Sequence, residues 1–332
     1  MSFKLRQALI QNRYLPRFIT SQFHYFTIPP SPNLITSPSH HHYLRPMLTH
    51  QSFLLTGSAH GRPFEADATY RADGRAKPVL LFVHGFKGFK DWGHFPLLAA
   101  FFAGRGFVFV KLNLSHNGVV VGGTGDLEDL EAFGRNNFSI ELDDIGQVIG
   151  ALFSPGATPV PAAEVDLSRF FLAGHSRGGG LALLKAAEDP RVRALATWAA
   201  IAEVHPQWPQ AVFDEWARTG VLHVPNTRTG QQLPLHYQLV EDYQAHRPRL
   251  DIAHNVRRRL RQPLLIIHGD EDETVGVAAA YALRELRPDA ELLLLPGATH
   301  MFGGAHPWPQ AELPAPAQAV AEATATFFER QR

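Results

Sequence analysis

The sequence predicts an α/β fold: a mostly parallel central sheet, helices over both faces, and a small cap inserted over one end. Three observations predict it. Short continuous apolar runs alternate with helical segments along most of the chain, as expected of strands buried on both sides between crossover helices. Several of those runs end in small-residue loops carrying Ser, His or acidic side chains. Finally, about 60 residues between Ile201 and Leu264 break the alternation, too many for an ordinary connection.

Taken in order, Ser52–Thr56 and Pro63–Tyr70 read as two strands separated by Gly57 and Gly61, with a turn at Arg71-Ala72-Asp73-Gly74. Pro78–Val83 is a continuous apolar run and a buried strand, followed by a helix from Phe95 to Ala103 that Gly104 and Gly106 stop. Phe107–Leu112 is a second buried strand. Residues 113–139 form a Gly- and Asn-rich loop with short helical patches, and Asp126–Glu131 reads as an exposed acidic helix face. Ile140–Phe153 is a helix, with Asn136-Asn137, Glu141 and Asp143-Asp144 placed to cap it. Then follow strand Phe170–Ala173, helix Gly178–Glu188, strand Ala194–Ile201, strand Pro263–His268, helix Val277–Leu286, strand Glu291–Leu295 and a closing helix Gln318–Arg330. Residues 203–250 form the cap. Its aromatics are expected chiefly to pack it onto the body, with Trp208 and Trp216 as candidates for contact with a bound small molecule. Asp251–Arg261 is a basic helix leading back into the sheet.

Composition sets the limits. With 332 residues, 45% of them hydrophobic, the chain can bury the core of one large domain. Lys+Arg and Asp+Glu are both 31, so no global basic field exists for nucleic acid or an anionic membrane. There are no cysteines, which excludes disulfides, thiolate metal sites and a cysteine nucleophile. No uninterrupted apolar run approaches the ~20 residues of a membrane helix.

The charge is unevenly placed. Residues 1–49 form a leader whose basic residues are Lys4, Arg6, Arg13, Arg17 and Arg45; the first acidic residue of the chain is Glu65. A disordered tail, an overlong reading with Met47 as the true start, and an organellar transit peptide compete for this stretch; the first two are favoured. Arg13 and Arg17 interrupt any secretory apolar core. The triplet His40-His41-His42 reads as polar tail, since nothing nearby completes a ligand set. The globular body is therefore residues 50–332, and a cytoplasmic location is expected, with organellar targeting by the leader as the alternative.

The chemistry starts at Gly174-His175-Ser176-Arg177-Gly178, which follows an apolar strand and opens a helix. That is the context of a nucleophile elbow: a sharp strand-to-helix turn needs small residues two positions either side and pushes Ser176 out over the sheet edge. His84-Gly85-Phe86-Lys87-Gly88 follows the Pro78–Val83 strand. Its Phe86 N–H, with that of Arg177, would make a two-donor oxyanion hole, while His84 braces the loop. His268-Gly269-Asp270-Glu271-Asp272-Glu273 follows one later strand and Gly297-Ala298-Thr299-His300 another. An acid and a His at the same sheet end as Ser176, in the chain order Ser…Asp…His, define one triad-bearing architecture.

These residues, with Val275 and Gly179, resemble the α/β-hydrolase fold family over about residues 50–332. The closest group is the serine-aminopeptidase-like and dienelactone-hydrolase-like small hydrolases. Gly-His-Ser-Arg-Gly-Gly also occurs in chlorophyllases; Arg177 stands where an apolar residue is frequent, and Gly276 where a Pro often follows the Val. The resemblance implies Ser176 as nucleophile, His300 as base and Asp272 as the acid that orients it, without metal or organic cofactor. Asp270, in the tight turn at Gly269, is expected to bond its own backbone, and Glu271 and Glu273 to face solvent.

The expected function is cleavage of carboxylic esters through an acyl-enzyme. A peptidase or amidase would use the same triad, and a non-catalytic ligand-binding protein on the same fold is the alternative of another class. The partner is a small ester or peptide-like substrate, with no nucleic acid. Lys87, Lys90 and Arg177 lie near the predicted mouth; they either form a basic rim that selects anionic substrates or pair with local acids such as Asp91.

Overall fold

The computed structural model describes residues 47–331 apart from 124, 206 and 207. The expectations for residues 1–46, including the histidine triplet, lie outside the described residues. The chain enters the sheet at once: β1 is Leu48–Thr56, so residues 48 and 49, assigned to the leader from sequence, are strand. β2 (Pro63–Arg71) and β3 (Lys77–Val83) follow, then α1 (Phe95–Gly104), β4 (Val108–Leu112), α2 (Leu130–Gly134), α3 (Phe138–Phe153), β5 (Val165–His175), α4 (Arg177–Glu188) and β6 (Ala194–Trp198). The cap comprises α5 (Gln210–Thr219), the hairpin β7 (Val221–Pro225) and β8 (Gln232–His236), α6 (Gln238–Ala245) and α7 (Arg247–Leu250). The body resumes with α8 (Ile252–Arg258), β9 (Leu264–Gly269), α9 (Ala278–Leu286), β10 (Glu291–Leu295) and α10 (Ala315–Glu329).

Eight strands make one sheet in the order β1-β2-β4-β3-β5-β6-β9-β10. β2 alone runs against the others, pairing antiparallel with β1 and β4. Alternation within each apolar run divides the core between two layers. Leu80 and Phe82, Phe107 and Phe109, and Ala194, Ala196 and Trp198 face one side, where α1 and α10 cover them with Phe95, Phe102, Phe327 and Phe328. Val79, Leu81 and Val83, Val108 and Val110, and Leu264 and Ile266 face the other, under α3, α4, α8 and α9. With both faces covered, continuous apolar runs are what the sheet requires.

Local chemistry sets the element ends. The Asn137 side chain accepts from the Ile140 N–H to cap α3, and that of Asp251 accepts from His254 to cap α8. Asn136 and Glu141 do not act as caps: Asn136 donates to Glu141 at 2.7 Å inside the protein. The acidic stretch 126–131 is not one helix face either. Only Leu130–Gly134 is helical, Asp129 caps it, and Asp126 reaches across to the cap residue Arg228.

In the cap, Trp216 is fully buried and donates to the Leu235 carbonyl at 2.7 Å. It stacks with Phe213, and His205 lies between the rings of Phe213 and Tyr243 at 4.9 and 5.0 Å. Trp216 is therefore core of the cap and not a substrate contact, correcting the expectation from sequence. An indole wedged between helix and hairpin buries more apolar area there than a cleft wall would allow. Among the described residues no helix is long and apolar enough to cross a membrane.

Candidate active site

Ser176 stands between the last residue of β5 and the first of α4, with φ 56° and ψ −121°. Such a conformation is strained for any residue with a Cβ. The chain is folded so tightly that a Cβ on Gly174 would lie 2.1 Å from the Gly178 carbonyl oxygen, and one on Gly178 2.3 Å from that of Val83. The small residues of the motif are therefore a steric necessity. The Ser176 N–H is fixed by the Trp198 carbonyl on β6 at 2.8 Å.

Loops after β9 and β10 meet it at the C-terminal edge of the sheet. Ser176 Oγ and His300 Nε2 are 3.0 Å apart, and His300 Nδ1 is 2.7 Å from Asp272 Oδ2. An ionised Asp272 can only accept, so His300 carries its hydrogen on Nδ1 and offers the Nε2 lone pair to the serine hydroxyl. Asp272 Oδ1 accepts from the N–H groups of Thr274 and Val275, at 2.9 and 2.8 Å. Burial works against the carboxylate charge, but bonds from His268, His300 and the Val275 N–H outweigh it and hold the pKa of Asp272 well below the usual range. Asp270 does not bond its own backbone; its Oδ1 accepts from the Gly297 N–H at 2.7 Å, tying the acid loop to the histidine loop. Glu271 and Glu273 are exposed.

Two histidines behind Asp272 and His300 had no clear role in the sequence. His175 Nε2 donates to the His300 carbonyl at 2.9 Å, and burial, with His300 beside it, pushes its pKa down to about 3. His268 Nε2 donates to the Val275 carbonyl at 2.7 Å and lies 3.3 Å from Asp272 Oδ2. Alternation along β5 and β9 could have placed both rings inside; His175 braces a loop 125 positions away, whereas His268 braces the loop that leaves its own strand.

The loop after β3 lies against the elbow, so closely that a Cβ on Gly85 would be 3.0 Å from that of Ser176. Among the described residues no hydrogen bond occupies the N–H of Phe86 or of Arg177. His84 is buried, with Nδ1 2.9 Å from the Gly85 carbonyl oxygen and Nε2 3.4 Å from the Leu114 nitrogen. The three cations of the predicted rim have different partners. Lys90 faces Asp67 at 2.7 Å and Asp91 at 2.6 Å, pairing with local acids behind the loop. The Arg177 Nε donates to buried Glu141 at 2.8 Å, and its guanidinium lies 4.1 Å from the Phe138 ring centroid and 5.4 Å from that of Phe86. Lys87 alone of the three has no acid partner among the described residues.

Ser176 and His300 open into a cleft of about 660 Å³ between body and cap, walled by Phe86, Phe138, Trp208, Leu235 and Leu239. A hollow of about 690 Å³ bordered by Arg105, Arg169 and Arg193 lies at the opposite end of the sheet, beside the starts of β3 and β4, away from these groups.

No protein-family model matches the chain, and no curated protein matches its sequence. Solved structures do match its shape. Est1E from Butyrivibrio proteoclasticus is 20% identical, with 84% of this chain and 98% of that one covered and a TM-score of 0.57. The esterase domain of a Rhodothermus marinus protein is also 20% identical, covering 85% and 98% with a TM-score of 0.57. DcsB, solved with a substrate analogue, is 16% identical, covering 86% and 100% with a TM-score of 0.64. The chain has the α/β-hydrolase fold, and its Ser, His and Asp meet at the sheet edge where that fold presents its loops.

Proposed function

We propose that this protein is a serine hydrolase that cleaves carboxylic esters through an acyl-enzyme. The observation that carries the reading is the unbroken line from Asp272 through His300 to Ser176, on a strained turn facing a cleft. His300 Nε2 takes the hydroxyl proton as Ser176 Oγ adds to the ester carbonyl. Asp272 stabilises the resulting imidazolium and holds the Nδ1–H tautomer. The N–H groups of Phe86 and Arg177 receive the oxyanion; losing one such donor typically costs ~3–4 kcal/mol of barrier lowering. His300 then protonates the leaving alcohol, and water activated by the same nitrogen releases the acid. The apolar walls suit a small organic acyl group.

A fluorophosphonate probe tests this directly. Ser176 is expected to be labelled in the folded protein, with labelling abolished in Ser176→Ala and strongly slowed in His300→Ala. A folded protein that resists the probe overturns the reading in favour of a binding protein on the same fold. An aryl ester assayed beside an aminoacyl anilide is expected to be the faster substrate; the reverse order assigns the triad to a peptidase.

A further inference from the structure

Two neighbouring donors on the seam between cap and body lack an anionic partner, one holding only a carbonyl and the other nothing. Lys87 leaves the loop after β3 with φ 62°, a conformation lysine rarely adopts. Its Nζ crosses to the cap, where it donates to the Pro225 carbonyl at 2.7 Å. Burial without a compensating acid draws its pKa below the ordinary lysine value. Asn226, the residue after that carbonyl, is 6% exposed, and its Nδ2 is closed off with no hydrogen-bond partner. Its backbone is already committed to the hairpin turn, through bonds with Gln231 and Gly230. Both residues line the cleft that holds Ser176.

The Pro225 carbonyl places the ammonium beside the start of Asn226, so the two side chains belong to one small region of the wall. A neutral carbonyl is a weak partner for a half-buried ammonium; a carboxylate makes shorter, stronger bonds and can accept from both donors. Two other cations at the cleft already face acids, Arg228 paired with Asp126 and Arg177 paired through its Nε with Glu141, although the Arg177 Nη2 is buried without a partner.

We propose that Lys87 and Asn226 form an anion subsite that takes a carboxylate on the substrate, making this a hydrolase of acid-bearing esters such as half-esters of dicarboxylic acids. The assignment rests on the esterase reading for the chemistry at Ser176, and it concerns the far end of the substrate. On binding, the carboxylate draws the ammonium from the Pro225 carbonyl, and the Asn226 amide turns out of its closed position to donate to it.

The test uses the full chain carrying Ser176→Ala, which binds without turnover. Calorimetric titration with monomethyl esters of dicarboxylic acids, about four to eight carbons long, is compared with methyl esters of monocarboxylic acids of equal length. At the best length the half-ester is expected to bind about tenfold tighter or more, equivalent to at least ~1.4 kcal/mol. Adding Lys87→Met is expected to erase most of that ratio, adding Asn226→Ala to reduce it about threefold or more, and rising salt to shrink it. Thermal melts verify that each variant is folded, and Asn226→Ala, in the cap, tests the subsite without touching the oxyanion loop. No preference at any length, or a preference that survives Lys87→Met, overturns the subsite. Failure here leaves probe labelling of Ser176 intact, whereas an unlabelled Ser176 leaves the measured affinities standing.

Discussion

At Asp272, four donors converge on one carboxylate: two backbone N–H groups on Oδ1, and His300 and His268 at Oδ2. This fixes what an amide would do there. In Asp272→Asn the Thr274 and Val275 N–H groups hold the carbonyl oxygen, so the amide nitrogen must face His300. Two donors then oppose each other, His300 moves its hydrogen to Nε2, and it can no longer accept from Ser176. The expected loss is on the order of 10³–10⁴ in kcat, with little change in fold. Asp270→Asn, exposed and holding only the Gly297 N–H, is expected to lose far less turnover and to show its effect in loop stability. If Asp270→Asn proves the dead variant in steady-state assays and Asp272→Asn the active one, the acid of the triad has been misassigned.

At the level of elements, the junction of β5 and α4 is held by space and by charge. Gly174→Ala would drive a methyl group into the Gly178 carbonyl, so a loss of ~3 kcal/mol or more is expected in urea unfolding, with activity falling as the elbow opens. The start of α4 is also tied to α3 by the Arg177–Glu141 pair. Glu141→Leu leaves a guanidinium buried and unpaired and is expected to cost ~3–5 kcal/mol; Glu141→Leu with Arg177→Leu is expected to cost clearly less than the two changes summed. Equal and additive losses would show that the pair does not couple these helices. The elbow was legible in the sequence because its cause is local: an apolar run, a Gly two residues either side, and a helix-length segment after it. The ion pair was not, because Glu141 is 36 positions from Arg177 and nothing in the local pattern distinguishes a buried acid from a capping one. The hairpin of the cap was missed for a related reason. β7 and β8 are short and partly exposed, so neither carries the continuous apolar run that betrays a strand of the main sheet.

For the molecule as a whole, buried histidines set the response to acid. Burial pushes His84 down to about 4 and His175 down to about 3. Below pH ~6.5 the unfolded chain takes up protons that these folded rings refuse, so stability present above that pH is lost on acidification. Each fully buried ring costs ~2 kcal/mol at pH 5. His94 and His116, each pushed down to about 4, act in the same direction. Asp144 acts against them: burial pushes it up to about 7, so its contribution is full in acid and declines as pH rises from ~4 to 7. Urea unfolding is therefore expected to show falling stability from pH 6.5 to 5, a flatter slope in His175→Gln and a steeper one in Asp144→Asn. Unchanged slopes in both variants would mean that other groups govern the acid limb.

The connectivity of the site has a consequence for the chain while it is being made. Ser176 and His300 lie 124 positions apart, and His300 and Asp272 28 apart, so the hydroxyl emerges from the ribosome long before the groups that activate it. β3 meanwhile waits for β5 to complete its pairing, a distant contact that slows folding. On the proposed mechanism, a nascent chain that has placed Ser176 on its turn is thus an unarmed nucleophile until residue 300 has been added. A chain truncated between residues 251 and 299 includes the elbow and the cap but lacks His300, and is expected to be inert.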